Sequence, residues 1–148
     1  MPDYEFLLKG LNNSKKSIGT DKGLAKIGDS IVNLIYSVAK SIYLTKIRNF
    51  KIAIRTGKKV NQIILSNALK NAGFKGEYAK SRANAHDMAD TVEALVAYVW
   101  LRNKISIEEM IDILVNNFKG EFKERKQEIE AAINAFTELL IKIIEIID

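Results

Sequence analysis

Apolar residues recur at three- and four-residue steps through nearly the whole chain, the spacing of amphipathic helices. Leu24, Ile27, Ile31, Leu34, Ile35, Val38 and Ile42 predict a long helix from about Thr20 to Thr45. Val60, Ile63, Ile64, Ala68 and Leu69 predict another, with Gly73 at its C-terminal cap. A third runs from Ala85 to about Arg102, with Val92, Leu95, Val96 and Val99 facing inward. Ser106-Ile107-Glu108-Glu109 has the form of a capping box, ahead of Met110, Ile111 and Leu114. A last helix is expected from about Glu121 to Ile147, and a short one at Tyr4–Lys9. Phe50-Lys51-Ile52-Ala53-Ile54-Arg55 is the one strand-like run; its shortness favours a helical connector instead. Gly10, Gly19, Gly57, Gly73 and Gly76 punctuate the turns. There is no repeat, low-complexity tract or linker. The expected architecture is a single all-α domain over residues 1–148, with 119–148 forming a C-terminal amphipathic helix.

That terminal helix carries a wide apolar stripe of Ile129, Ala132, Ile133, Phe136, Leu139, Leu140, Ile143, Ile144 and Ile147. Two uses fit such a stripe, self-association or packing within the domain.

A chain of 148 residues, 47% hydrophobic and 28% charged, has the make-up of one globular domain with a sizeable core. No apolar run reaches the roughly 18 residues of a membrane span. With no cysteine, disulfides and thiolate metal sites are excluded. Met1-Pro2-Asp3-Tyr4-Glu5 lacks the basic flank and apolar stretch of a secretion signal, so the expected location is the cytoplasm. The net charge of +5 is uneven, with twelve Lys/Arg against four Asp/Glu in the first sixty residues. A basic half beside an acidic site suits a polyanionic substrate: cations gather phosphates and carboxylates hold metal.

Candidate chemistry lies in acids that interrupt apolar helix faces. Asp29 follows Gly28 in Leu24-Ala25-Lys26-Ile27-Gly28-Asp29-Ser30-Ile31-Val32, and Asp90 and Glu93 interrupt Ala89-Asp90-Thr91-Val92-Glu93-Ala94-Leu95-Val96. A charge beside a core costs several kcal/mol unless it is paired or bound to metal. Asp90 and Glu93 share one helix face, with His86 a turn earlier. A cation between them would relieve their repulsion, and Mg²⁺ or Mn²⁺ suits carboxylate oxygens and water. Gly28 is a poor helix residue, explained if the Asp29 helix closely crosses the helix of Asp90 and Glu93. His86 reads as a helix-surface residue, and Tyr36, Tyr98 and Trp100 as core or interface.

These two segments resemble the motif regions of the ribonuclease III endonuclease domain. Ile27-Gly28-Asp29-Ser30 matches that family's Leu-Gly-Asp-[Ser/Ala] element. Ala89-Asp90-Thr91-Val92-Glu93-Ala94-Leu95-Val96-Ala97-Tyr98-Val99-Trp100-Leu101 matches its Ala-Asp-x-x-Glu-Ala-Leu-[Ile/Val]-Gly-Ala-x-Tyr-Leu element, with Ala97 for the usual Gly. The likeness spans about Thr20 to Leu114. It implies an all-α, homodimeric, Mg²⁺-dependent (or Mn²⁺-dependent) endonuclease on double-stranded RNA, each protomer cutting one strand. By position, Asp29, Asp90 and Glu93 match three of the four catalytic carboxylates. Glu93 is then the chief metal ligand, with Asp29 and Asp90 completing the shell directly or through water. The fourth acid position holds Ala25, and another frequent Glu position holds Lys22. Asp87, a turn from Asp90, is a candidate replacement. With 119–148 read as one helix, there is no room for the family's double-stranded-RNA-binding domain. Lys58, Lys59, Lys80 and Arg82 are the candidate phosphate contacts. Two alternatives stand beside the nuclease: a catalytically impaired homologue that binds RNA or serves as structure, and a helical interaction module without nucleic acid.

Overall fold

The computed structural model describes residues 3–147; the end points of the expected domain, 1 and 148, lie outside the described residues. A 3₁₀ turn at Glu5–Leu8 precedes seven helices among the described residues: α1 (Lys15–Gly19), α2 (Lys22–Ile47), α3 (Gln62–Ala72), α4 (Lys75–Tyr78), α5 (Ala85–Leu101), α6 (Ile107–Asn117) and α7 (Arg125–Ile146). There is no strand among them. The five long helices predicted from periodicity are all present. α1 and α4 were not anticipated, because five and four residues are too few to reveal a period.

Helix ends follow local chemistry. Asp21, Asn61, Asn84 and Ser106 each accept a backbone N–H through the side chain at the start of α2, α3, α5 and α6. Ser106 and Glu109 form the expected capping box. Gly73 ends α3 in the left-handed region at φ 84°, which costs glycine little. α7 starts at Arg125, four residues later than expected, so 119–124 is a non-helical approach to it.

α5 is the axis of the domain, packing on α1, α2, α3 and α7. Val92, Leu95, Val96 and Val99 are fully buried on it. The stripe of α7 is spent inside the protomer: Ala132, Phe136, Leu139, Leu140 and Ile143 join the common core, and α7 packs on α3 and α6. The apolar side chains left exposed lie elsewhere, including Leu34 and Val38 on α2 and Ile63 on α3. Tyr36 is a core residue whose hydroxyl donates to Glu128, a buried carboxylate that also pairs with Lys40 at 2.9 Å and Arg125 at 3.3 Å. This network ties α2 to the first turn of α7.

The connector between α2 and α3 is not helical. Residues 54–60 lie along α2, held by a row of side chains at every fourth helix position. Thr45 accepts from the N–H of Ile54, Ser41 from Thr56, Ser37 from Lys58 and Asn33 from Val60, at 2.8 to 3.3 Å. Four helix residues rise about 6.0 Å and two extended residues about 6.6 Å, so the two repeats stay in step for several bonds. A helical connector would have satisfied its own N–H groups and left this polar stripe of α2 without partners.

Candidate active site

The same stripe of α2 continues into a cleft. Lys22, Lys26, Asp29 and Asn33 follow one another at three- or four-residue steps, ahead of Ser37, Ser41 and Thr45. The cleft, about 840 Å³, is lined by Lys22, Ala25, Lys26 and Asp29 of α2, by Lys59 and Val60 of the connector, and by His86, Asp90 and Glu93 of α5, among others. Its floor is acidic and its rim basic.

Gly28 makes this arrangement possible. A Cβ built on it would lie 1.8 Å from the backbone carbonyl oxygen of Glu93. Only a residue without a side chain lets α2 and α5 approach this closely. The neighbouring Asp29 and Glu93 then face one another.

The two carboxyl groups lie within hydrogen-bonding reach, so a proton on one can form a bond to the other. Burial, this bond, and the negative charges of Asp29 and Asp90 push the Glu93 pKa up from 4.5 to about 8, with Lys59 opposing weakly. That raised pKa favours the protonated form of Glu93 near neutral pH when no cation is present. Asp29 also receives the side-chain amide of Asn33 at 3.4 Å, while the Asn33 carbonyl is fixed by the Val60 N–H at 2.8 Å. Asn33 thus joins the connector to the site. Its i+4 spacing from Asp29 was visible in the sequence, but its role needed the connector's path.

Asp90 has different company. Its Oδ2 is 2.9 Å from Lys22 Nζ and 3.6 Å from His86 Nε2. The hydrogen bond from Lys22 to Asp90 raises the Lys22 pKa and keeps that ammonium charged. Asp87 is engaged elsewhere and lies outside the cleft lining. Its carboxylate caps α5 by accepting the N–H of Asn84 at 3.0 Å and pairs with Lys80 at 3.4 Å. Those partners, the Asn84 backbone first, hold its pKa below the usual carboxylate value.

Among the candidate phosphate contacts, Lys59 lines the cleft, and Lys58 is exposed beside it. Lys80 borders an adjoining depression with Lys22, Asp87 and Asp90 rather than the cleft itself. Arg82 is exposed in the turn before α5, at φ 57°, and lies outside the cleft lining. Lys22 and Lys26 line the cleft although the phosphate-contact expectation did not include them. Ala25 is buried at 6% exposure in the cleft wall, four residues before Asp29.

The sequence model of the family described as Ribonuclease III matches residues 22–148. This chain belongs to the ribonuclease III family. The match begins at the cleft lysine that opens α2 and runs through α7, so it covers every helix that builds the site. Membership supports a ribonuclease-type enzyme at the level of the family. No curated protein matches the chain.

Whether this ribonuclease III-family site suits a divalent cation is a question of donor chemistry. Among the described residues, no three His, Asp or Glu side chains come close enough to hold one ion. Asp29 and Glu93 do meet, and both offer hard oxygen donors. Their closeness, with Asp90 nearby, sets up a repulsion that a cation would relieve. A two-carboxylate seat fits Mg²⁺, which usually keeps several of its waters.

Proposed function

We propose that this protein is a metal-dependent endoribonuclease that hydrolyses phosphodiester bonds in double-stranded or structured RNA, acting in RNA processing in the cytoplasm. One observation carries the reading: Asp29 and Glu93 meet at the floor of a lysine-rimmed cleft, at the point where Gly28 lets their helices touch.

In this reading Asp29, Asp90 and Glu93 are the catalytic carboxylates. Glu93 and Asp29 would hold Mg²⁺ or Mn²⁺, with Asp90 beside them in the same cleft. When bound, the ion supplies positive charge to the phosphate oxygens and lowers the pKa of water. The rest falls to the chain itself. Glu93 would release any proton it carries to solvent on binding a cation. Asn33 keeps Asp29 oriented. Asp90, steadied by Lys22, accepts a hydrogen bond from the attacking water. Lys26, Lys58 and Lys59 draw the RNA backbone to the rim, and A-form RNA is then read by shape more than by sequence. A homodimer supplies two clefts, one for each strand. Leu34 and Val38, a turn apart on α2 and left exposed at 48% and 37%, support self-association through α2 rather than through the α7 stripe.

A second reading, a homologue that binds RNA without cutting it, is favoured by Ala25 and Lys22. Both stand at positions where the family resemblance puts acids. One assay separates the two. Long duplex RNA is incubated with Mg²⁺ or Mn²⁺, beside Glu93→Gln and Asp29→Asn variants. Metal-dependent cutting by the parent alone supports the enzyme; duplex binding without cleavage in either metal supports the second reading.

A further inference from the structure

We propose that Lys22 is a phosphate-binding residue of the cleft, presenting its ammonium to the RNA backbone beside a single divalent ion seated on Asp29 and Glu93. The inference rests on the nuclease reading above and adds the charge layout of the site.

Lys22 is the first residue of α2. A cation in the first turn is disfavoured by the helix dipole, so helix stability gives no reason for a lysine there. Its Nζ is 2.9 Å from Asp90 Oδ2, yet the side chain is 69% exposed. An ammonium has three N–H donors, and Asp90 takes one. The others are left for a ligand at the cleft, which Lys22 lines with Lys26 and Lys59. Asp90 acts as a tether that holds a flexible lysine at the rim and lowers the entropy lost on binding phosphate.

The same contact decides how many ions the site seats. Asp90 is engaged by Lys22 and His86, at 2.9 and 3.6 Å, while Asp29 and Glu93 line the cleft where Gly28 lets α2 and α5 touch. The acids divide into a pair and a lysine-bound single. Ala25, buried in the wall between Lys22 and Asp29, adds no ligand. One two-carboxylate seat remains, and Lys22 contributes the neighbouring positive charge.

The test combines Mn²⁺ titration calorimetry with duplex-RNA binding and cleavage, on the full chain and its Lys22→Ala, Lys22→Arg and Lys22→Glu variants. The parent is expected to bind one Mn²⁺ per protomer, and Lys22→Ala should keep that stoichiometry and affinity within about twofold. Lys22→Ala should raise KM for duplex RNA about tenfold, with a smaller change in kcat, the loss of one charged contact. Its salt slope of RNA binding should fall by about one. Lys22→Arg should recover most of the affinity, and Lys22→Glu should admit a second Mn²⁺. Two Mn²⁺ ions on the parent would overturn the proposal. So would an unchanged RNA affinity and salt slope in Lys22→Ala, or tighter Mn²⁺ binding with faster cleavage. Failure of the nuclease reading looks different: the parent cuts no RNA in either metal, while RNA affinity and its salt slope still judge Lys22.

Discussion

Gly28 packs its α-carbon against the backbone of Glu93, so closely that an added methyl would lie 1.8 Å from the Glu93 carbonyl oxygen. The obstacle is backbone, which cannot swing aside as a side chain does. Gly28→Ala must therefore push α2 from α5. The expected cost is about 2–3 kcal/mol, the scale of an overpacked core. Urea denaturation measures it, and an unchanged midpoint would mean that the helices do not cross here.

The Asp29–Glu93 pair makes the metal-free protein sensitive to alkali. The Glu93 pKa is about 8 in the folded state against an ordinary 4.5, so the folded state binds the extra proton between those values. The stability contributed by Glu93 is full below about pH 4.5 and is lost as pH rises toward 8. Thermal melting in chelator should give a melting temperature that declines over that window, with Mg²⁺ restoring it at the alkaline end. A melting temperature that rose from pH 5 to 8 would contradict the shared proton.

Filling the site should also release that proton. Near pH 7, Mg²⁺ or Mn²⁺ must displace it from Glu93. Calorimetric titration in two buffers of different ionisation enthalpy should give different apparent heats, the difference corresponding to release of up to one proton. Identical heats would place the ion away from Glu93.

Asp29→Asn separates stability from function. It removes one of two facing negative charges, so the metal-free variant should be more stable than the parent at pH 8.5 by roughly 1 kcal/mol, while RNA cleavage is lost. Little stability should be gained at pH 5, where Glu93 is protonated in both proteins. A variant that cuts RNA at the parent's rate would remove Asp29 from the machinery.

The connector offers a test that is independent of chemistry. The N–H groups of Ile54, Thr56, Lys58 and Val60 bond to α2 side chains. Amide hydrogen exchange should show them protected, with Arg55, Gly57 and Lys59 exchanging fast in alternation. Ser41→Ala should release Thr56 first. Uniform exchange along 54–60 would rule out the ladder.

Much of the fold was legible because five helices are long enough to repeat their apolar spacing. Ser106, Glu109 and Gly73 also mark their ends by local hydrogen bonding or by tolerance of positive φ. Gly28 was readable as a crossing point, because a glycine within an amphipathic helix needs a close neighbour to justify it. The acids could be picked out by their apolar surroundings. These are properties of neighbours along the chain, and a linear pattern contains them.

Other features depended on residues far apart in sequence. The strand-like run at 50–55 is so short that a helical connector is the expectation, and only the fit of residues 54–60 along Asn33, Ser37, Ser41 and Thr45 makes the connector extended. Asp87 looks equivalent to Asp90 one turn away, yet capping and Lys80 take it out of the site. The α7 stripe is covered by its own domain because α3, α5 and α6 come to meet it. The chain by itself determined which segments are helical and which acids are out of place. Tertiary packing decided which acids meet and which are claimed by a lysine, because electrostatic partnership depends on distance in space, and helices of separate sequence origin set that distance.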